Sequence, residues 1–418
     1  MIHLITALLL LQAQDPKAQE KVQERLEDQE ERIKELEKKL SEVEKRQSAT
    51  TSANPLTVLN PTLTVAGDFL WRFDDRKVFA DNDPAEPRID DTINVREVEL
   101  DLRASVDPFV DGVAVLAIES EAPGEFAVAI EEFYATVKSL PLPLWETPPL
   151  GTLVRIGRFR TEFGLNNKAH THDLPHSDRP LVIQEFLGPE GHSAVGVSTT
   201  SFLPSPGETA LQLTLQLLNG GGIPIADFSN RLAYLANLNL YVPVAEGHSV
   251  NLALIGFYGT NDSLHRDQSR IVSADFLYKW KPARQGDYSS FLLGAQVIAG
   301  RHEFVSGTAD DDGDGIDDTN LHGLARPVGY DVWTQYQFSA RLYAGVRWDQ
   351  TEFLTNDSRR HKQLSPYVTW YASEFFRARF TYQRTWSDDP ARDGLDSFLV
   401  ELVVIFGAHP PEPFWVNK

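Results

Sequence analysis

Arg96-Glu-Val-Glu-Leu-Asp-Leu-Arg-Ala-Ser-Val106 sorts into two strips when every second residue is read. Arg96, Val98, Leu100, Leu102, Ala104 and Val106 are nearly all apolar, whereas Glu97, Glu99, Asp101, Arg103 and Ser105 are all polar. A period of two belongs to a strand with one face in an apolar medium and the other in water. The pattern recurs to the end of the chain, where Phe398, Val400, Leu402, Val404 and Phe406 share one face of 397–406. Sixteen such segments can be placed: 57–73, 93–106, 112–119, 126–137, 153–163, 193–202, 209–218, 232–242, 249–258, 270–280, 288–301, 329–338, 341–350, 364–371, 376–386 and 397–406. A soluble sandwich would not usually sustain so many, with aromatics gathered near the strand ends. The fold class expected is all-β, a 16-stranded antiparallel transmembrane barrel with lipid outside and water inside.

An even strand number brings both barrel ends to the same side of the membrane. Connections after even-numbered strands are mostly short (107–110, 204–206, 246–247, 282–286 and 339–340). Those after odd-numbered strands include the long ones, at 74–91, 164–192, 219–230, 302–326 and 356–362, and the Pro-rich 139–151 is the exception on the short side. This asymmetry expects periplasmic turns at one end and outer loops at the other.

Composition agrees with a barrel. No apolar stretch in the 418 residues approaches the length of about 18 that a spanning helix needs. Cysteine is absent, which excludes disulfides and thiolate metal sites. A net charge of -21 argues against nucleic acid as a partner.

The first 60 residues are different material. Leu4 to Leu11 is a short apolar run ending in Gln12-Ala13-Gln14, so 1–14 reads as an export signal, although its basic stretch is missing. Residues 15–47 carry Val22, Leu26, Gln29, Ile33, Leu36, Leu40, Val43 and Gln47 at alternating steps of four and three. That heptad seam, set among dense Glu and Lys, expects an α-helical coiled coil in the periplasm, because so polar a helix needs partners. Residues 48–56 read as a linker, and 57–418 as the barrel. Ile33 and Leu40 at one core position, with Leu36 and Val43 at the other, do not fix the oligomer, and a homotrimer is expected over a dimer mainly because barrels of this size often trimerise. The coiled coil also supports a rival reading, a tether from the outer membrane to the cell wall with the barrel as anchor.

With the strands placed, Arg155-Ile-Gly-Arg-Phe-Arg-Thr-Glu-Phe-Gly164 resembles the best-known segment of the phosphate-selective porin O and porin P family, although Glu162 stands where proline is common. The ending Phe406-Gly-Ala-His-Pro410, with Phe414 beyond it, is also similar to members of that family. The resemblance implies a trimeric, 16-stranded outer-membrane porin with loops folded into the lumen. It implies that the stretch after Leu165 is the constriction loop, where Lys168, Arg179, His170, His172 and His176 give a cationic bias.

Alternation alone assigns lumen faces as well. It places Arg377, Arg379, Thr381 and Gln383 inside one strand, and Arg341, Tyr343, Arg347 and Asp349 inside another. Arg158 and Arg160 share one face, and Glu97, Glu99 and Asp101 oppose them from the second strand. The expectation is a passive channel for small hydrophilic solutes and ions with a weak anion or phosphate preference, and no covalent chemistry. The bland reading is that any lumen is polar because water fills it.

Two further clusters carry possible metal chemistry. Asp310, Asp312 and Asp314, with Gly315 at the turn and Asp318 beyond, match the start of an oxygen-ligand Ca2+ loop, but position twelve is Leu321 and the bidentate carboxylate is missing. The alternative there is a merely solvated acidic loop; His170, His172 and His176 could be read as a metal cluster, but they lack flanking ligands of zinc quality and a mobile loop is the preferred reading. No nucleophile elbow, phosphate loop or zinc-protease motif is present.

Overall fold

The structure is a computed structural model that describes residues 61–79, 88–122, 125–143, 145–220, 231–261, 267–282, 288–309, 319–407 and 415–416. The export signal, the coiled coil, the linker and Asp310–Asp318 lie outside the described residues.

Alternating segments pair with their neighbours in chain order. The first nine strands are β1 (Thr62–Asp74), β2 (Thr92–Ser105), β3 (Val110–Ala122), β4 (Glu125–Val137), β5 (Leu153–Arg160), β6 (Ser193–Leu203), β7 (Ala210–Asn219), β8 (Leu232–Ala245) and β9 (His248–Thr260). The remainder are β10 (Gln268–Trp280), β11 (Ser290–Ala309), β12 (Thr319–Ala325), β13 (Val328–Ser339), β14 (Leu342–Phe353), β15 (Asn356–Ser373), β16 (Phe376–Ser387) and β17 (Leu395–Gly407). Every pairing is antiparallel, and β17 closes on β1 from Thr64↔Gly407 to Asp74↔Ser397. Closure leaves no strand edge, so the wall satisfies its own backbone in a medium without water.

β12 and β13 are two parts of one wall strand. Both lie on β11 in a single register, His302↔Ala325 for one and Ala299↔Val328 for the other. Pro327 between them has no N–H, although its carbonyl still accepts from Gly300. Counted this way the wall has 16 strands.

Side-chain burial is inverted relative to a water-soluble protein. Val128 is 72% exposed, Leu254 62% and Val272 58%, whereas Arg347, Asp349, Asp331 and Glu401 are fully buried. An apolar exterior this continuous needs a lipid medium, and the polar groups line the inside.

Two segments expected as loops are strands. β11 runs to Ala309 and β12 begins at Thr319, so most of 302–326 is a hairpin rising beyond the wall. β15 begins at Asn356, directly after the two-residue turn that follows β14. Period-two alternation vanishes where both strand faces meet water, so the polar run Asn356-Asp-Ser-Arg-Arg-His-Lys362 gave no strand signal.

Candidate functional site

The connection 161–192 between β5 and β6 turns into the barrel instead of standing above it. Gly164 makes the turn at φ 97°, where a Cβ would fall 2.4 Å from Asp275 Oδ2 and 2.6 Å from Gln296 Nε2, both on the lumen wall. Only glycine takes that backbone and that proximity without strain. Two short helices follow, α1 (Leu165–Lys168) and α2 (Leu181–Leu187), the second ended by Gly188 at φ 96°. α2 buries Leu181, Val182, Ile183, Phe186 and Leu187. Val182, Ile183, Phe186 and Leu187 pack with Phe159 and Phe163 against Leu218, Leu235, Ile255, Phe257, Ile271 and Ile298 of the wall, making an apolar core inside a polar lumen.

Arginines hold the rest of the loop by its carbonyls. Arg379 donates to Leu174 O at 2.7 Å and to His176 O, and pairs with Glu401 at 2.6 Å. Arg347 donates to Asp178 O and Oδ1, both at 2.8 Å, and to Asp349 at 2.7 Å. Arg96 reaches Ser177 O, Asp68 and Glu401. Arg160 makes a two-pronged pair with Glu131, both bonds 2.9 Å, and donates to Glu190 O at 2.7 Å. Arg179 is buried on the carbonyls of Asn166 and Ala169. At the base of the loop Asn167 Nδ2 donates to Thr161 O and His192 O, while its Oδ1 accepts from His192 N at 2.7 Å.

Two β-bulges build the acidic side of the site. Asp68 stands opposite Glu97 and Phe69 opposite Val95, so Arg96 is the extra residue of β2. Val115 stands opposite Glu132 and Leu116 opposite Ile130, so Glu131 is the extra residue of β4. A bulge turns two consecutive side chains to one face. Arg96 with Glu97, and Glu131 with Glu132, therefore both point into the lumen, although alternation had put Arg96 outside.

His170 enters this acidic side from the loop. Its Nδ1 lies 2.6 Å from Glu131 and 2.9 Å from Glu99, and its Nε2 lies 2.9 Å from Glu132. Burial opposes a charge on this ring, but the three carboxylates outweigh it and raise its pKa well above the ordinary value. His172 is raised in the same way by Glu99 and Asp173, against burial. It is looser, with Nδ1 3.6 Å from Glu99 and Nε2 3.7 Å from Asp173. His176 lies apart, its ring edge-on to Trp333 and Tyr367, and burial with Arg347 and Arg379 nearby pushes its pKa well down. Burial and the charge of Arg158 lower His192 to about 4.

The sequence candidates divide into groups. Arg160, Arg179, Arg347 and Arg379 are loop anchors whose charge is met by carboxylates or carbonyls. Arg377 is buried, and its Nε and Nη2 lack hydrogen-bond partners among the described residues. Lys168 pairs with Glu162 at 2.6 Å and is 45% exposed. Glu97, Glu99 and Asp101 are buried on the inner face, as alternation placed them. Arg341 departs from its expected inward position and lies exposed in the turn between β13 and β14. Arg158 departs as well: it stands opposite Phe133 and Val195, both exposed outward, because Gly157 and Phe159 hold the inward register. The inward basic residue of that strand is Arg155, over the Tyr134 ring at 4.5 Å, which the sequence reading missed. Trp415 was missed too. It is buried among Leu277, Leu292 and Trp333, and its carbonyl accepts from Gln335 of the lumen wall.

Open space remains inside the barrel toward the short-turn end. One cavity of about 390 Å3 is lined by Arg103, Arg155, Lys168, Glu162 and Asp173 among others. Another of about 680 Å3 meets Lys168, Lys279, Lys281, His248 and Asn251.

No family model matches the chain. An uncharacterized protein of Aquifex aeolicus (strain VF5) is 24% identical over 354 residues, 77% of this chain and 70% of the relative. Among solved structures, Salmonella typhi OmpF in complex with daunomycin matches 84% of this chain and 99% of its own, at 15% identity and a TM-score of 0.52. An anion-selective porin from Comamonas acidovorans matches 83% and 99% at 10% identity, TM-score 0.51. The outer-membrane channel DcaP of Acinetobacter baumannii matches 83% and 97% at 12% identity, TM-score 0.51. Similarity at this level is one of fold: the chain has the architecture of outer-membrane porins, and nothing in it singles out porin O and porin P.

Proposed function

We propose that the protein is an outer-membrane porin, a water-filled channel for passive diffusion of small hydrophilic solutes and ions. The observation that carries this reading is the ordered connection 161–192, latched inside a closed barrel whose outer face is apolar and whose inner face is polar. A barrel serving only as an anchor has no need of a loop held inside it by Arg96, Arg160, Arg347 and Arg379 of the wall. Planar-bilayer recordings of the purified protein test the reading: discrete conductance steps are expected. A barrel that inserts and never passes current would leave the tether, argued from the heptad seam of 15–47, as the better account.

Selectivity follows from cations that face open space. Arg155 and Lys281 line the cavities at the short-turn end, whereas Arg347 and Arg379 are neutralised in place. Screening over about 8–10 Å leaves distant charge little influence, so the -21 of the chain does not set the sign. Weak anion preference is the reading. A reversal potential in a salt gradient measures it, and clear cation selectivity would hand control to Glu97, Glu99 and Asp101.

A further inference from the structure

We propose that Glu97, Glu99 and His172 form a binding site for a first-row divalent transition-metal cation inside the barrel. One oxygen of each carboxylate and one ring nitrogen lie within 4.8 Å of one another, and all three residues are buried. Ligands held about 2.0–2.2 Å from a tetrahedral metal stand about 3.4 Å apart, so the three need only a small adjustment to close on an ion.

The second, independent observation is lack of satisfaction. Glu97 and Glu99 are each only 4% exposed; Glu97 Oε1 has no hydrogen-bond partner among the described residues, and Glu99 Oε2 meets only the His170 ring at 2.9 Å. His172 sits 3.6 Å from Glu99, too far for a hydrogen bond and near the spacing of two ligands around one ion. A buried carboxylate oxygen left open is costly unless a cation meets it. The arrangement beside them is unlike this one. His170 already touches Glu131 at 2.6 Å and Glu132 at 2.9 Å, an ion pair complete without metal, and Arg160 secures Glu131 from behind. His170, 2.9 Å from Glu99 Oε2, thus orients that carboxylate toward His172, and the oxygen left open is Glu97 Oε1.

The donor set selects the ion class. Two carboxylates alone would suit Ca2+ or Mg2+, but an imidazole nitrogen shifts preference to Zn2+, Mn2+, Fe2+ and their neighbours. Access exists: a cavity of about 300 Å3 lined by Thr64, Asp101, Arg103 and Ile405 reaches Glu99 and His172 from the short-turn end. Binding does not depend on the channel reading, since a closed barrel could hold the ion equally well.

The test uses the full chain, folded in detergent micelles at neutral pH and titrated with Co2+ as the probe. Saturation at one Co2+ per chain is expected, with the visible bands of a low-coordinate site and displacement by Zn2+. His172→Ala and Glu97→Gln should each weaken it at least tenfold. His176→Ala and Asp314→Asn should leave it unchanged, which separates the site from the aspartate run near Gly315. Heat-modifiable gel mobility establishes that each variant is folded. X-ray absorption of Zn2+-loaded wild type should report one imidazole with oxygen donors. An all-oxygen shell, or a Co2+ signal that survives His172→Ala, would overturn the proposal.

Discussion

Arg96, Arg160, Arg347 and Arg379 each satisfy two demands with one side chain: each neutralises a wall carboxylate and caps a loop carbonyl. Removing one leaves a buried charge as well as an orphaned backbone group. Arg379→Ala leaves Glu401 only its 3.2 Å bond to Arg96 and frees Leu174 O and His176 O, a loss of about 3–5 kcal/mol for a broken buried pair. The expected outcome is new protease cleavage within 161–192 while the barrel stays intact. Arg341→Ala, in an exposed turn, should change nothing measurable by the same assay. His192 predicts a pH response. Its pKa is lowered from an ordinary value of about 6.5 to about 4 in the docked loop, so the undocked state binds more protons between those values. Docking is therefore weakened as pH falls from about 6.5 to 4, and His176, also lowered, acts in the same direction. His170 and His172 act oppositely: their pKa values are raised, so their contribution is present in acid and is lost only as pH climbs through those raised values. Protection factors of the amides in 161–192, taken against the intrinsic exchange rate at each pH, should fall on acidification. His192→Asn should flatten that response, and an unchanged profile would remove His192 as its source.

At the level of elements, entry of the loop depends on one backbone angle. Gly164→Ala forces a Cβ into Asp275 and Gln296 at φ 97°, so the turn must open and the loop shift. Gly207→Ala is the matched control, because Gly207 also has positive φ but nothing lies within 4 Å of its added Cβ; it should cost only about 1 kcal/mol. Single-channel conductance should change for the first substitution and not for the second. How much of this was legible follows from which signals are local. Wall strands declared themselves because alternation is carried by each strand alone. The position of the inserted loop was legible from Arg155–Gly164 and the long connection after it. The bulges at Arg96 and Glu131 were not, since a bulge is a property of two strands in register and neither sequence contains it. For the same reason the histidines looked unaccompanied: their carboxylate neighbours come from β2 and β4, far from them in the chain. Arg158 was misplaced because Gly157 blurs the period of its strand.

For the molecule as a whole, assembly and span are separate questions. The wall from β1 to β17 closes its own ladder, so each barrel folds without a neighbour. A homotrimer is our proposal, because the heptad pattern of 15–47 asks for partner helices and barrels of this size often trimerise. Deleting 15–47 should lower the native mass in detergent or weaken the trimer to heat, while leaving barrel mobility on gels unaltered. A deletion variant that fails to insert would make the segment an assembly element instead.

The inverted burial of the wall also bears on how such a chain travels. Its membrane-facing residues are dealt out one at a time, each separated by a polar neighbour, as in Phe398, Val400 and Leu402 against Ser397 and Glu401. While extended, the polypeptide offers no continuous greasy segment that a helix-inserting membrane would retain. The lipid-seeking surface comes into being only when strands line up side by side. The protein can thus be threaded through one bilayer as a stranger to it and become at home in the next only by folding.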